Sequence, residues 1–324
     1  MYHILYQCDN NYAPYAGVSI FSLLQHNQEI EDLQLHLLAS AVSEENLMKI
    51  RRTCQQFSRD IIIHNCEELD ERLESLGVLR YRGSYATFYK LFMDEFMECT
   101  EGRLLYMDSD TVIEGDLRPL LDMDMGMNAI AMGQDVLTYR YKRSLGFQDK
   151  EPYYNAGVIL FDIARWSNGD YRERVQHHIQ RIKSDYAKHE QDILNMTFKG
   201  EIATILQRYN VQSIFRALPP ESFMRLYGKQ LGYDERKLAE ELDHIVVYHF
   251  LRFLGEFPWT EKSGHPYEGK FREYLRQSLW DESCFKKKEV TFIFLVERIL
   301  YKILPGSIFG FLFKLSQEIM GVAS

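Results

Sequence analysis

Short apolar runs alternate with segments of helical periodicity along most of the chain. The apolar runs predict strands over residues 4–6, 33–39, 60–64, 103–107, 129–132, 157–161, 202–206 and 244–249. Apolar residues at helical spacing predict helices over residues 12–25, 43–57, 67–76, 85–97, 164–185 and 190–198. This alternation predicts an α/β fold with a mainly parallel sheet and helices on both faces. Such sheets bind ligands beyond the carboxyl ends of their strands, so the polar residues that directly follow each strand are candidates for a site.

Composition and charge narrow the class of protein. The 324 residues are 46% hydrophobic, which is enough for a folded core, and the net charge of −9 disfavours a nucleic-acid-binding protein. The five cysteines have no CxxC or zinc-ligand spacing, so neither a disulfide framework nor a structural zinc site is expected. The first residues, MYHILYQCD, lack the basic and long apolar regions of a signal peptide. We therefore expect a protein of the reducing cytoplasm.

The last part of the chain, after about Trp280, has its own pattern. Lys286, Lys287 and Lys288 precede an apolar, aromatic-rich segment that runs to about residue 315. The uncharged stretch 303–313 is too short for a membrane span, which needs roughly 18 residues. A basic cluster beside amphipathic helices is typical of a peripheral contact with the inner face of a membrane. The alternative is a helical layer packed on the sheet, and the sequence leaves both open.

The strongest chemical signal is the triplet Asp108-Ser109-Asp110, which directly follows the apolar run 103–107. In an extended chain, residues two apart project to the same side, so both carboxylates can converge on one ion. Such hard oxygen ligands suit Mn²⁺ or Mg²⁺. An isolated Asp-x-Asp triplet is often a solvated turn, and the position after a buried strand is what favours a metal site here.

Other candidates follow other strands. Asp9, Asn11 and Tyr12 follow the first strand, where they can bind a nucleotide or simply cap a helix. Ala156-Gly157 either lets a ligand approach the backbone closely or is simply a tight turn. His249 ends the last predicted strand and is either a metal ligand or a structural histidine.

Taken in order, the motifs resemble those of the family 8 glycosyltransferases, especially the bacterial galactosyl- and glucosyltransferases that build lipooligosaccharide or capsule. The motifs are DNNYAPYAGVSIFSLL, YATFYKLFMDEF, LLYMDSDTVIEGDLRPL, YYNAGVILFDIARW, HEQDILN and YHF followed by FPW, within about residues 3–260. The resemblance implies the nucleotide-sugar-binding GT-A fold over residues 1–265, followed by a helical segment over 266–324. It also implies transfer of galactose or glucose from a UDP-sugar, with retention at the anomeric carbon and usually with Mn²⁺. The implied acceptor is a glycan on a lipid, a polysaccharide or a protein.

The resemblance assigns expected roles to individual residues. Asp108, Asp110 and His249 would hold the metal. The uridine would contact Asp9, Asn11 and Tyr12, and Ser109 and Lys90 would belong to the same donor-binding set. Asp135 and Asn155 would contact the donor sugar, and Asp192 would orient sugar hydroxyls or brace its turn. Glu190 and Gln191 would be the catalytic residues, with Gln191 under the anomeric centre.

Three positions depart from the family pattern. Lys90 stands where relatives usually carry Arg, which keeps the charge but loses the bidentate fork, and Glu190 stands where many carry Asp. The closing motif, His-x-x-Gly-x-x-Lys-Pro-Trp in relatives, is two residues longer here and has Phe257 in place of its lysine. Arg252 and Lys262 are the candidates within that loop to replace the missing charge.

Several alternatives remain open at this point. Retention can arise by front-face attack supported by Glu190 or Gln191, which we favour, or by double displacement with Glu190 as nucleophile. A nucleotide-sugar phosphohydrolase or a nucleotidyltransferase would share a metal-holding sheet, but no glycine-rich phosphate loop follows the first strand. A non-catalytic or hydrolytic UDP-sugar-binding protein is the third interpretation.

Overall fold

The computed structural model describes residues 1–97, 99, 101–182, 189–232, 234–288 and 291–320. Its strands are β1 (Tyr2–Cys8), β2 (Leu33–Ala39), β3 (Ile61–Asn65), β4 (Arg103–Met107), β5 (Thr111–Ile113), β6 (Ile130–Gln134), β7 (Tyr154–Asp162), β8 (Ile202–Ile205), β9 (Val211–Gln212) and β10 (Val247–His249). Its α-helices are α1 (Ala13–His26), α2 (Glu44–Gln55), α3 (Glu67–Ser75), α4 (Arg118–Leu121), α5 (Tyr139–Ser144), α6 (Ile163–Asn168), α7 (Tyr171–Ile182), α8 (His189–Thr197), α9 (Ser213–Ala217), α10 (Pro220–Tyr227), α11 (Glu235–Asp243), α12 (Glu268–Leu275), α13 (Phe292–Ile303) and α14 (Gly306–Met320). Ala86–Glu95 forms a 3₁₀ helix.

The main sheet has seven strands in the order β3-β2-β1-β4-β7-β6-β8. Strands β1 to β4 are parallel, as are β6 and β8, and β7 runs antiparallel to both of its neighbours. A separate sheet of three short strands has the order β5-β10-β9. The predicted α/β fold with a mainly parallel sheet is thereby confirmed, together with a helical C-terminal segment.

Side chains of alternate residues in the central strands enter two different hydrophobic clusters. Ile4 and Leu105 belong to the cluster that also includes residues of α1 and the small sheet. Leu5 and Leu104 belong to the cluster that also includes residues of α7 and α8. Because strand residues alternate in direction, apolar residues at every position place a core on each face of the sheet. The sheet is buried on both faces, and its strand ends are what remains for a site.

The structure corrects three predicted elements. The single helix predicted over 164–185 is two helices, because the chain is extended at Gly169 (ψ −178°) between α6 and α7, and residues 183–185 lie outside the described ranges. The helix predicted over 85–97 is a 3₁₀ helix with a non-helical residue at Phe92. The strand predicted over 244–249 forms only at Val247–His249, and it pairs in the small sheet rather than in the main one.

Part of the chain beyond residue 265 packs closely against α1. The Trp280 ring lies where a Cβ at Gly17 would approach it to 2.1 Å, and the Tyr15 hydroxyl donates to the carbonyl of Cys284 at 2.9 Å. Helix α13 has no buried residue, whereas Phe309 of α14 is buried. None of the helices in the described ranges has the length and apolar character needed to cross a bilayer. The division at residues 265 and 266 stays a prediction.

Three histidines on adjacent strands form a hydrogen-bonded row across β1, β2 and β3. His3 Nδ1 lies 3.1 Å from His36 Nε2, and His36 Nδ1 lies 3.1 Å from His64 Nε2. Burial, with the neighbouring His3 and His64, lowers the pKa of His36 to about 3. The unfolded chain, with a histidine pKa near 6.5, therefore binds more protons than the folded chain between about pH 6.5 and pH 3. The contribution of this row to the free energy of unfolding is fully present above pH 6.5 and falls as the pH decreases from 6.5 towards 3.

We expect the free energy of unfolding to fall by up to about 2 kcal/mol between pH 7 and pH 5 through His36 alone. Urea unfolding of the wild type and of His36→Gln at both pH values measures this contribution as the difference between their pH dependences. Parallel pH dependences in the two proteins would contradict the assignment.

Candidate active site

The small sheet brings His249 to the Asp108–Asp110 turn. Asp108 directly follows β4, β5 begins at Thr111, and β10 pairs antiparallel with β5 so that His249 lies opposite Thr111. His249 Nε2 lies 3.3 Å from Asp110 Oδ1 and 3.6 Å from Asp108 Oδ2. One ligand atom from each of the three residues lies within 4.8 Å of the others. The structure thus brings together the three residues expected to hold a metal.

A chain of buried amides determines which nitrogen of His249 carries the proton. The Gly157 N–H donates to Asn155 Oδ1 at 2.9 Å, and Asn210 Nδ2 donates to the same oxygen at 3.0 Å. Asn210 Oδ1 is therefore the atom 2.9 Å from His249 Nδ1, and it accepts a proton from that nitrogen. The lone pair of Nε2 consequently points at the two carboxylates, and this buried atom has no hydrogen-bond partner among the described residues.

This arrangement fits a divalent cation. Burial opposes a charged imidazole, yet the pKa of His249 is raised because the Asp110 and Asp108 carboxylates outweigh that effect. The two acidic side chains therefore favour a positive charge where the Nε2 lone pair also points. Two carboxylate oxygens and one neutral imidazole nitrogen form a donor set that suits Mn²⁺ or Mg²⁺.

Close approach at Gly157 is what gives His249 its position. A Cβ at residue 157 would lie 2.1 Å from His249 Cε1, so only glycine leaves room for the imidazole. The Ala156-Gly157 pair lies within β7, so the tight-turn interpretation is wrong, and close approach by a ligand stays a prediction. The group that approaches Gly157 in the structure is a side chain of the protein itself.

Lys90 connects the Asp108 carboxylate to Glu190. This buried side chain donates from Nζ to Asp108 Oδ1 at 3.2 Å, to Glu190 Oε1 at 3.2 Å and to the carbonyl of Ala156 at 3.0 Å. Burial alone would lower the pKa of Lys90, but the two carboxylates raise it above its usual value. The lysine that replaces the usual arginine therefore uses all three of its N–H donors within the site.

The amide of Gln191 is held at both of its ends. Its Oε1 accepts from Asn155 Nδ2 at 3.2 Å and from the Ala156 N–H at 3.0 Å, and its Nε2 donates to Asp135 Oδ2 at 3.0 Å. Asp192, the next residue in α8, is fully buried and accepts from the hydroxyls of Tyr141 and Tyr153. Of the two roles expected for Asp192, these contacts support bracing of its turn.

The residues expected at the nucleotide are also placed at strand ends. Asp9 Oδ1 accepts from the backbone N–H groups of Asn11 and Tyr12 at 2.9 and 3.0 Å, so this carboxylate closes the turn before α1. Asn11 is exposed, and the half-buried Tyr12 ring meets Trp259 edge-on at 6.5 Å. Ser109 Oγ donates to the carbonyl of Gln7 at 2.6 Å, and this bond connects the Asp108–Asp110 turn to β1.

Two features of the site were not apparent from the sequence. Asn210, which fixes the His249 tautomer, lies between β8 and β9 in no motif that sequence analysis singled out. Tyr106 donates to Asp108, but in the sequence it is one apolar position of a buried strand.

The two residues proposed to replace the missing lysine lie in different surroundings. Arg252 lies 4.8 Å from the centre of the Phe294 ring, and Lys262 borders a cavity of about 90 Å³ that Glu256 also lines.

Comparison with known proteins identifies the family. The family model described as "Glycosyl transferase family 8" matches residues 3–263. General stress protein A of Bacillus subtilis is 22% identical over 282 residues, which covers 86% of this chain and 94% of that protein. The lipopolysaccharide 1,2-glucosyltransferase of Escherichia coli is 26% identical over 283 residues, with coverage of 86% and 79%.

Solved structures give the same fold. The galactosyltransferase LgtC, in complex with donor and acceptor sugar analogues, superposes with a TM-score of 0.71 at 22% identity, covering 86% of this chain and 97% of that chain. Glycosyltransferase GlyE of Streptococcus pneumoniae superposes with a TM-score of 0.58 at 22% identity, covering 94% of this chain and 64% of that chain. The match over most of the chain shows that this protein is an enzyme of glycosyl transferase family 8.

Proposed function

We propose that this enzyme transfers galactose or glucose from a UDP-sugar to a glycan acceptor, forms an α-glycosidic bond with retention and requires Mn²⁺ or Mg²⁺. The observation that carries the proposal is the His249 Nε2 lone pair, which points at Asp108 and Asp110 with no protein donor to satisfy it. These three residues would hold the cation, and they lie at the strand ends where such sheets bind ligands. Glu190 is joined to the same cluster through Lys90.

The residues of the site suggest how the glycosidic bond to UDP is broken. When bound, the cation neutralises charge that develops on the diphosphate leaving group. Lys90 keeps the Glu190 carboxylate hydrogen-bonded, which reduces its nucleophilicity but leaves a negative charge to stabilise an oxocarbenium-like sugar. Gln191 is held rigidly beside Asp135 and Asn155, the pair proposed to position the donor sugar. We therefore favour front-face attack, with the departing phosphate accepting the proton of the acceptor hydroxyl.

Incubation with a panel of UDP-sugars tests the proposed reaction. We expect slow release of UDP and free hexose from UDP-galactose or UDP-glucose in the presence of Mn²⁺, and none after treatment with EDTA. With a glycan acceptor, the product should be an α-glycoside. Release of hexose 1-phosphate instead would identify a phosphohydrolase, and unchanged turnover in EDTA would contradict the metal requirement.

We also infer that α13 and α14 place the enzyme on the cytoplasmic face of an anionic membrane, near a lipid-linked acceptor. One side of α13 is held to the catalytic domain through Arg298, which binds Glu256 at 2.8 Å. Elsewhere the two helices expose large apolar side chains, namely Phe292, Ile293, Leu295, Val296, Ile299, Ile303, Ile308, Phe311, Leu312, Leu315 and Ile319. The exposed Lys287 and Lys302 add positive charge along this segment. Apolar groups beside basic residues are the chemistry that binds an anionic lipid surface.

Replacing two exposed side chains of α13 tests the membrane contact. We expect Phe292→Ser with Ile303→Ser to weaken sedimentation with phosphatidylglycerol vesicles by about tenfold or more, because each buried CH₂ contributes about 0.8 kcal/mol. Turnover of a soluble acceptor should not change. The matched control is Ile62→Ser, another exposed apolar residue, on β3 (44% exposed). If the wild-type protein does not sediment with such vesicles at low salt, the membrane contact is refuted.

A further inference from the structure

Two basic side chains border one group of aromatic rings next to the proposed donor site. The Lys286 ammonium lies 4.9 Å from the centre of the Tyr12 ring. The Arg82 guanidinium lies 5.5 Å from the centre of the Phe257 ring, which stacks on Trp259 at 4.9 Å. Arg82 is also close enough to Tyr12 for the two side chains to interact electrostatically. Both cations therefore face the same surface from different parts of the chain.

Backbone contacts fix both residues in these positions. Residues 81–84 form a tight turn whose end residues exchange hydrogen bonds of 2.9 and 3.0 Å, with Arg82 in the left-handed region (φ +50°). The Lys286 N–H donates to the carbonyl of Trp259 at 2.8 Å, and the Lys286 carbonyl accepts from the Glu261 N–H at 2.9 Å. These bonds join Lys286 to the loop between β10 and α12.

The charges of these two residues are not balanced by the protein. Over the described ranges, no carboxylate lies within 4.0 Å of either cation. Burial, followed by the positive charge of Arg82, lowers the pKa of Lys286, and Asp9 and Asp110 oppose this shift only in part. Two exposed cations that repel each other favour the binding of an anion between them.

We propose that Lys286 and Arg82 bind the diphosphate of the nucleotide-sugar donor, with Lys286 as a direct phosphate ligand. This inference rests on the proposed function, because it takes UDP as the leaving group. Asp110 is near enough to influence both cations electrostatically, so a diphosphate bound through a cation at Asp110 enters their field. Lys286 lies beyond residues 3–263, so this contact comes from a segment that the family model does not include. Phe257, which stands where related motifs have lysine, supports the Arg82 guanidinium instead.

Calorimetric titration of UDP and of uridine in the presence of Mn²⁺ tests this proposal. We expect Lys286→Met to weaken binding of UDP by about tenfold or more, the effect of losing a charge-assisted hydrogen bond. Binding of uridine, which has no phosphate, should not change, and Lys286→Arg should retain most of the affinity for UDP. Lys287→Met is the matched control, because Lys287 is the next residue along the chain and is exposed like Lys286, and this variant should behave as wild type.

The outcomes separate this inference from the proposed function. Wild-type protein that binds UDP no more tightly than Lys286→Met overturns the role of Lys286 and leaves the proposed function standing. Equal losses for uridine and UDP also overturn it, since they would show that Lys286 only supports the Tyr12 ring. Wild-type protein that binds no UDP with either Mn²⁺ or Mg²⁺ overturns the proposed function and this inference together.

Discussion

Asp110→Asn should lower turnover by at least about a thousandfold, equivalent to about 4 kcal/mol of transition-state stabilisation. The reason is that Asp110 Oδ1 lies 3.3 Å from His249 Nε2, so an amide there removes one of the two proposed anionic metal ligands. The fold should remain intact, because the acidic side chains repel each other when no cation is bound. Turnover of UDP-sugar and Mn²⁺-dependent binding of UDP measure the effect, with thermal unfolding as the check on folding.

Two comparisons sharpen this experiment. Asp32→Asn, an exposed residue just before β2, should leave activity and metal dependence unchanged. Asp108→Asn should lose activity and also destabilise the protein, because Asp108 accepts hydrogen bonds from Tyr106 and from the buried Lys90. Full activity of Asp110→Asn in EDTA-treated buffer would refute the metal site.

Glu190→Gln should lower kcat by about a hundredfold or more while the affinity for UDP stays the same. Glu190 is partly buried and bound to Lys90, and we place it at the sugar rather than at the nucleotide. A charge that stabilises only the transition state contributes to kcat and not to ground-state binding. Steady-state kinetics and titration with UDP together separate these two quantities.

Two further variants serve as a control and as a test for a covalent mechanism at Glu190. Glu201→Gln, which breaks the surface pair with Arg174 at 2.6 Å, should leave kcat unchanged. If Glu190 acts as a covalent nucleophile, azide should rescue Glu190→Ala and release a glycosyl azide of inverted configuration. Equal losses in kcat and in UDP affinity would instead make Glu190 a nucleotide contact.

The sequence predicted the two site residues that lie together at the end of a single strand. Asp108 and Asp110 were found because a buried strand leads into two carboxylates at a spacing of two residues. His249 was singled out at a strand end, but its role followed from family resemblance, since the pairing of β10 with β5 is what brings it to the carboxylates. Asn210 had no signal, because its function depends on hydrogen bonds to residues distant in the sequence.

Two physical causes explain the missed short strands and the divided helix. Strands β5, β9 and β10 have only two or three residues each, which is too short to show a period of two. The break between α6 and α7 depends on the conformation at Gly169, whereas the apolar pattern continues on both sides. The long strands and helices, by contrast, carry enough repeats of their pattern for the mainly parallel sheet to be predicted.

The contacts of α1 with the far end of the chain also affect how the protein is made. The Tyr15 hydroxyl binds the Cys284 carbonyl across 269 residues, and the Trp280 ring covers Gly17. As the ribosome releases the N-terminal residues first, this face of α1 stays uncovered until the segment around Trp280 and Cys284 has been synthesised. Contacts so distant in sequence also slow folding, because a long loop must close before they form. A nascent chain of this protein therefore exposes the side of its first helix around Tyr15 and Gly17 until that segment emerges, which makes this side a natural target for chaperones.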